Sequence, residues 1–346
     1  MSTVEKTHVE AAAFRGKPVY FETIYPWDQP TRQELTPESA SDRLLLVILI
    51  TVFFVALIGS VLLARKNLRL GRGDRRGAAR LAVAYFVVRM VVWLFAEHHT
   101  GWLEREFDLF LRSLATALFT SGFLGTLYLA LEPFVRRRWP RLIISWSRLL
   151  TGAYRDPLIG RDILIGAVFG VGLILAASLS KVGPRWIGRP PELVLSPGAL
   201  FFGAHLFINK FAAQFMASLF IAFITLFLLL LFVFVLRRER LALVAVWLLI
   251  TVLNTLLVQV SPVMIVFPAL FASLLVLVLY RYGLLAAISA LFVTHLWVFY
   301  PITTELTAWY AMDFTIALVI CVALAIYGFY ISLAGQPLFG GRLLED

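Results

Sequence analysis

The sequence predicts an all-α fold, a polytopic bundle of transmembrane helices with about nine spans. The chain of 346 residues is 60% hydrophobic and only 15% charged, whereas soluble domains have about 25% charged residues. Its mean hydropathy is +0.86. Uncharged apolar runs of roughly 18 residues or more recur along the chain, and each is long enough to cross a bilayer as a helix.

Nine apolar segments are predicted to cross the membrane, and short polar loops separate most of them. Together they form a transmembrane bundle over residues 44–334. The predicted spans are 44–64, 78–96, 110–131, 163–180, 215–236, 241–260, 263–280, 283–300 and 313–334. Residues 335–346 follow the ninth span as a short tail.

Residues 1–43 are predicted to form a polar N-terminal tail. They lack the short basic-then-apolar pattern of a signal peptide. Within the tail, the stretch GKPVYFETIYPW, residues 16–27, alternates apolar and polar residues in its first half. This alternation predicts a short extended segment.

Residues 182–214 depart from the simple succession of spans. They are rich in proline and glycine as far as Gly198 and become amphipathic afterwards. Irregular backbone at membrane depth must be covered by protein or line a wet cavity, because bare amides in lipid are costly. We therefore expect an external segment here, interfacial or re-entrant, before the fifth span.

The distribution of basic residues predicts the orientation of the bundle. The loops 65–80, 136–161 and 237–240, with Arg281 and Arg342, hold 19 lysine and arginine residues, and the opposite side holds 11. Cytoplasmic loops carry an excess of basic residues. The N-terminal tail is therefore predicted outside the membrane and the C-terminus in the cytoplasm.

Residues 132–162 join the third and fourth predicted spans and carry seven arginines without a lysine. We call this stretch the basic connection. Pro140 and Gly152 would begin and end a short helix in it, with an apolar stripe predicted to lie in the cytoplasmic interface. The stripe consists of Leu142, Ile143, Trp146, Leu149 and Leu150. The basic residues predicted at the interface are Arg136, Arg137, Arg138, Arg141 and Arg148.

The expected partner of these arginines is a bilayer with anionic headgroups. The net charge of +10 could also suggest a nucleic acid. Most of the basic residues, however, sit in short loops between apolar runs. We therefore predict no nucleic-acid partner.

Six polar residues in or beside the spans are candidates for ligand binding or for lining a polar cavity. Ionisable residues inside a span are costly, which makes each one a functional hypothesis. They are Arg89, His205, Asn209, His295, Glu305 and Asp313. Arg89 lies near mid-span, where pairing inside the bundle is favoured over snorkelling. His295, Glu305 and Asp313 flank an outer loop rich in Trp and Tyr, which also fits an ordinary interfacial aromatic belt.

His205 and Asn209 are four residues apart and so share one helix face. The Phe-x-x-x-His and His-x-x-x-Asn spacings resemble fragments of the CAAX-type intramembrane metalloproteases. That family also uses a Glu-Glu-x-x-x-Arg motif, and this chain has no Glu-Glu pair. A zinc hydrolase needs three protein ligands, which His205, His295 and Glu305 do not convincingly supply. We predict neither metal nor cofactor, and keep a metal-dependent protease as an alternative.

Other enzyme signatures are absent from the sequence. It contains no Walker A motif, no His-Glu-x-x-His, no Gly-x-Ser-x-Gly and none of the protein-kinase motifs. We therefore predict no catalytic residue, while a small-solute transporter stays open as a further alternative. The small residues of GAVFGVG, residues 166–172, are spaced for close helix packing.

The chain resembles the polytopic C-terminal membrane region of certain bacterial serine/threonine protein kinases of the acidobacterial kind. The resemblance runs from Gly16 to Gly341. It rests on GKPVYFETIYPWDQPTRQE, ARKNLRLGRGDRRGAARLA, YLALEPFVRRRWPRLIISWSRLLTGAYRDPLIGRD, FYPITTELTAWYA and YGFYISLAGQPLFGG. In such proteins a cytoplasmic kinase domain and one span precede an external stretch and this bundle.

The resemblance implies a non-catalytic module of the bacterial inner membrane that anchors or regulates a kinase-type signalling protein, or senses a cue for it. A cytoplasmic kinase domain would be its partner, in the same chain or in another. The kinase motifs themselves are absent here, so no catalytic residue follows from the resemblance.

Overall fold

A computed structural model describes residues 8–14, 16–24, 39–96, 99, 101–188, 204–258, 264–300, 303, 305, 307 and 311–334. The chain divides into two units, residues 1–44 and 45–346. The predicted cytoplasmic tail, residues 335–346, lies outside the described residues.

The first unit contains an antiparallel hairpin of β1 (His8–Phe14) and β2 (Lys17–Ile24). Gly16 lies between the strands with φ +75°, a left-handed conformation that glycine adopts without steric cost. The extended segment predicted within the tail is confirmed by β2. The hairpin is one local exception to the all-α prediction.

In the residues that the structure describes, the second unit is built from ten α-helices, the first of which begins just before it. They are α1 (Ala40–Arg69), α2 (Arg75–Ala96), α3 (Leu103–Arg138), α4 (Ile144–Leu150), α5 (Pro157–Val182), α6 (Ala204–Leu236), α7 (Glu239–Val258), α8 (Val266–Tyr282), α9 (Leu284–Phe299) and α10 (Ala311–Ser332). Two short 3₁₀ helices, Pro140–Leu142 and Gly183–Ile187, lie between them.

Each predicted span falls on one of these helices. Seven of the helices are long and apolar enough to cross a membrane, namely α1, α2, α3, α5, α6, α7 and α10. The apolar helices α8 and α9 have 17 and 16 residues. Large apolar side chains on α1, such as Phe54 and Ile58, are exposed, as hydrocarbon-facing positions would be. The structure is that of a helical membrane protein.

Helix α9 lies at the centre of the bundle although it is the shortest of the apolar helices. Most of its side chains are buried, including Leu284, Leu291 and Leu296. Gly283, with φ +104°, separates α9 from α8. A Cβ at Gly283 would lie 2.8 Å from the carbonyl oxygen of Leu142, so the turn packs directly on the basic connection.

Glycines allow α5 to approach its neighbours closely. A Cβ at Gly166 would lie 2.5 Å from the Ala286 carbonyl oxygen, and one at Gly170 would lie 2.7 Å from that of Ala290. Both contacts are with α9, and they confirm the packing role predicted for GAVFGVG. On another face of α5, Gly160 packs against α10, whose Gly328 carbonyl oxygen would lie 2.8 Å from an added Cβ.

The segment predicted as external or re-entrant, 182–214, differs in part from that prediction. Residues 189–203 lie outside the described residues, but residues 204–214 are the first three turns of α6. The sequence from Ala204 to Leu236 contains neither proline nor glycine, so nothing breaks the helix before the predicted fifth span.

Candidate functional site

The loops that the charge distribution assigns to one side meet at one end of the bundle, which we call the polar end. Direct contacts join the last turns of α1, α3, α8 and α10 to the first turns of α2, α5 and α7 there. The described part of this end holds 18 basic residues but only five acidic ones. The five are Asp74, Glu132, Asp156, Asp162 and Glu239.

Asn67 in α1 compensates for a proline in α3. Pro133 has no N–H group, so the carbonyl of Leu129, four residues earlier, loses its helical donor. The Asn67 amide donates from Nδ2 to the carbonyl oxygens of Leu129, at 3.0 Å, and Ala130, at 3.1 Å. Asn67 is almost fully buried, and its side chain joins α1 to α3.

Asp74 and Glu132 join the start of α2 to the end of α3. Asp74 immediately precedes α2 and accepts from the Gly77 N–H at 2.8 Å, which satisfies one free donor of the first turn. Its other carboxylate oxygen accepts from the Tyr128 hydroxyl at 3.1 Å. The buried Glu132 accepts from the Asp74 N–H at 3.3 Å and from Arg136 Nε at 2.7 Å.

Glu239, the first residue of α7, collects donors from the basic connection and from α8. Oε1 accepts from Trp139 Nε1 at 3.0 Å and from the Tyr280 hydroxyl. Oε2 lies 3.4 Å from an Arg138 nitrogen. The Arg141 guanidinium lies 5.5 Å from the centre of the Tyr280 ring, within the range of a cation–π contact.

The other end of the basic connection is tied to α5. Arg148 pairs with Asp156, which also caps α5 by accepting from the Leu158 N–H at 2.9 Å. The remaining acid, Asp162, is buried and pairs with Arg161 at 2.8 Å. All five carboxylates of the polar end are therefore bonded inside the protein.

At three of its five residues, the apolar stripe of the basic connection is buried by protein instead of lying in the lipid interface as predicted. Leu142, Ile143 and Trp146 are almost completely buried by protein, and the Trp146 ring packs on Phe223 of α6 at 5.5 Å between ring centres. The prediction is wrong for these residues because the connection is anchored on both sides of α4, which turns the stripe inward. The helix α4 ends at Leu150, and Gly152, with φ +91°, terminates it as predicted by donating to the Leu149 carbonyl oxygen at 3.0 Å.

The five arginines predicted at the interface are all exposed. Arg136, Arg138 and Arg148 pair with acidic groups of the polar end. Arg137 and Arg141 form no ion pair with a described residue. Their place at a membrane interface stays a prediction, and three of them also hold the protein together.

Arg89 lies in α2 and is partly buried. The sequence favoured a partner inside the bundle, yet within the described part of the chain no hydrogen bond or ion pair joins its guanidinium to another residue. Tyr85, one turn earlier, lies within its electrostatic range.

His295 of α9 pairs with a hydroxyl on α6. Its Nδ1 lies 2.9 Å from the Oγ of Ser218, which is fully buried. His205 is also on α6, but 13 residues before Ser218, which is about 20 Å along the helix axis. The side chain of His205 lies outside the described residues, and Asn209 is partly buried. The described contacts of His295 therefore do not bring it toward the first turn of α6.

Glu305 is exposed, and its N–H donates to the Thr303 hydroxyl at 3.0 Å. Asp313 lies on α10 with its side chain outside the described residues. Among the side chains that the structure describes, no group of three or more His, Cys, Asp or Glu is placed to hold a metal ion.

Comparison with known proteins adds nothing to this geometry: no family model, curated protein or solved structure matches the chain. The site must be interpreted from its own contacts. Those contacts form a cross-linked polar end with an exposed cationic surface.

Several residues that organise the polar end escaped the sequence analysis. They are Asn67, Asp74, Tyr128, Glu132, Glu239 and Tyr280. One signal was present in the sequence: Pro133 closely follows the third predicted span, and a helix that continues through a proline leaves a carbonyl that needs an outside donor. The partner of that carbonyl lies 62 residues away in the sequence, and no local pattern identifies it.

Proposed function

We propose that the chain is a non-catalytic module of the bacterial inner membrane that anchors or regulates a serine/threonine kinase-type signalling protein. In this proposal nine helices cross the bilayer, with the hairpin outside and the polar end in the cytoplasm. The short helices α8 and α9 count among the nine because each joins a loop of the polar end to the opposite end of the bundle.

The observation that carries the proposal is that each of the five carboxylates in the described part of the polar end takes part in an internal bond. The cross-links hold the helix ends together, while the arginines that remain form an exposed cationic surface. Such a surface suits the cytoplasmic leaflet and an acidic partner domain beside it. The resemblance to kinase membrane regions supplies the class of that domain.

We expect a kinase-type protein to be encoded beside this chain, and the test is co-expression of the two, followed by purification from membranes. We expect the two to co-purify and the phosphorylation state of the kinase domain to change when the chain is present. Arg137→Glu together with Arg141→Glu should weaken both effects, whereas Arg105→Glu and Arg112→Glu at the opposite end should not. Peptide hydrolysis or solute flux in liposomes that His205→Ala abolishes would overturn the proposal.

A further inference from the structure

The last two turns of α1 carry a basic stripe on the face that points away from the bundle. Its residues are Leu62, Arg65, Lys66, Arg69 and Leu70, all exposed. Their spacing, i, i+3, i+4, i+7 and i+8, places them on one continuous helix face. The opposite face contacts the protein, since Ala56, Ser60, Ala64 and Asn67 are buried there.

An open surface cavity of about 470 Å³ lies against this stripe. Its described lining combines three cations with a leucine at each end of the stripe. Leu62 lies one turn toward the middle of a long apolar helix, and Leu70 follows the last helical residue. The cavity therefore offers positive charge at the helix end and apolar surface toward the membrane interior.

The three cations are not needed to complete the helix. Gly71, with φ +65°, ends α1 by donating to the Leu68 carbonyl oxygen at 3.1 Å, while the Arg72 N–H donates to that of Asn67 at 2.8 Å. With the Leu70 N–H, which donates to the Lys66 carbonyl oxygen at 3.1 Å, these bonds satisfy three of the last four carbonyls of α1 through the backbone.

Within the described chain, moreover, no carboxylate pairs with Arg65, Lys66 or Arg69, because all five acids of the polar end are engaged elsewhere. Among the residues that the structure describes, the three charges therefore have no acidic partner.

We propose that this stripe binds one anionic phospholipid, with the phosphate at Arg65, Lys66 and Arg69 and an acyl chain along Leu62. Guanidinium groups bind phosphate through two parallel hydrogen bonds, and lysine adds a point charge. The site holds the lipid beside α1. The buried Asn67 on the opposite face of α1 joins this helix to α3. This inference requires membrane insertion but is independent of the proposed signalling role.

The experiment is native mass spectrometry of the full chain, delipidated in detergent and titrated with phosphatidylglycerol or with phosphatidylcholine of the same acyl chains. The unmodified protein should bind the first phosphatidylglycerol molecule more tightly than any further molecule of the same lipid. In the triple variant R65Q/K66Q/R69Q, we expect the association constant of that lipid to fall at least about tenfold, because three charges near the phosphate are removed. Binding of phosphatidylcholine should not change.

The matched control is R237Q/R238Q/R240Q, which removes the same charge from the same end of the bundle. We expect it to change the association constant less than about twofold. An equal fall in both triple variants would overturn the proposal in favour of diffuse attraction. Equal affinities of the unmodified protein for the two lipids would also overturn it.

Leu62→Asn separates a lipid from a free phosphate and keeps every charge, so it serves even if the triple variant fails to fold. It should weaken phosphatidylglycerol binding, because the acyl contact is lost. Inorganic phosphate at millimolar concentration should not displace the lipid. Displacement by phosphate, or an unchanged affinity in Leu62→Asn, would contradict a lipid site.

Discussion

Asn67 of α1 donates a hydrogen bond over 3.0 Å to the carbonyl oxygen of Leu129 in α3, the carbonyl that Pro133 leaves without a helical donor. The polar side chain of one helix thus repairs the backbone of another at a buried position. Replacing the amide would leave two buried carbonyls with fewer donors than they have now.

Asn67→Leu should destabilise the protein by about 1–3 kcal/mol, the usual cost of a buried polar group that loses its partner. The measurement is the apparent melting temperature in detergent. Pro133→Ala restores an N–H in α3, so Asn67→Leu should cost clearly less in a Pro133→Ala background. Equal costs in both backgrounds would mean that the amide does not act by repairing α3.

Glu239→Ala should lower the melting temperature more than Tyr280→Phe or Trp139→Phe does. Each of the latter removes one donor, worth about 0.5–1.5 kcal/mol, whereas loss of the carboxylate leaves all its donors unpaired. The matched control is Glu104→Ala, at an exposed position of α3. We expect this variant to leave the melting temperature unchanged. Equal effects of the two glutamate variants would contradict the role of Glu239.

Trp146→Ala should cost about 3–5 kcal/mol, because it empties a buried position in the protein core. Trp146→Phe should be tolerated, since the indole N–H has no partner among the described residues. The exposed Trp102→Ala serves as control. If Trp146→Ala were as mild as Trp102→Ala, the stripe would face lipid after all, as the sequence alone had indicated.

Gly166→Ala should separate α5 from α9, because the added methyl would meet the Ala286 carbonyl at 2.5 Å. Helix packing in membranes depends on such close approaches, so the melting temperature should fall. Gly122→Ala, on α3, adds a methyl with nothing within 4 Å and should be neutral or slightly stabilising. A neutral Gly166→Ala would show that the α5–α9 contact is not tight.

The sequence predicted the helices well and the polar end poorly, for a physical reason. Bilayer thickness imposes a length on every apolar run, so each predicted span coincides with a helix. The period of the stripe containing Trp146 indicates an apolar face but not whether protein or lipid covers it. The partners of Glu239 lie 41 and 100 residues away, and Ser218 lies 77 residues from His295. Such pairings depend on the packing of whole helices.

The central claim is that the polar end is the cytoplasmic face of a membrane module. Cys321, the only native cysteine, allows a Cys321→Ser background in which single cysteines replace Arg72, Arg137 or Gly101. In spheroplasts, which lack the outer membrane but keep an intact inner membrane, a membrane-impermeant maleimide should label Gly101→Cys alone. Arg72→Cys and Arg137→Cys should react only after permeabilisation; their labelling in intact cells, or equal labelling of all three, would contradict the account.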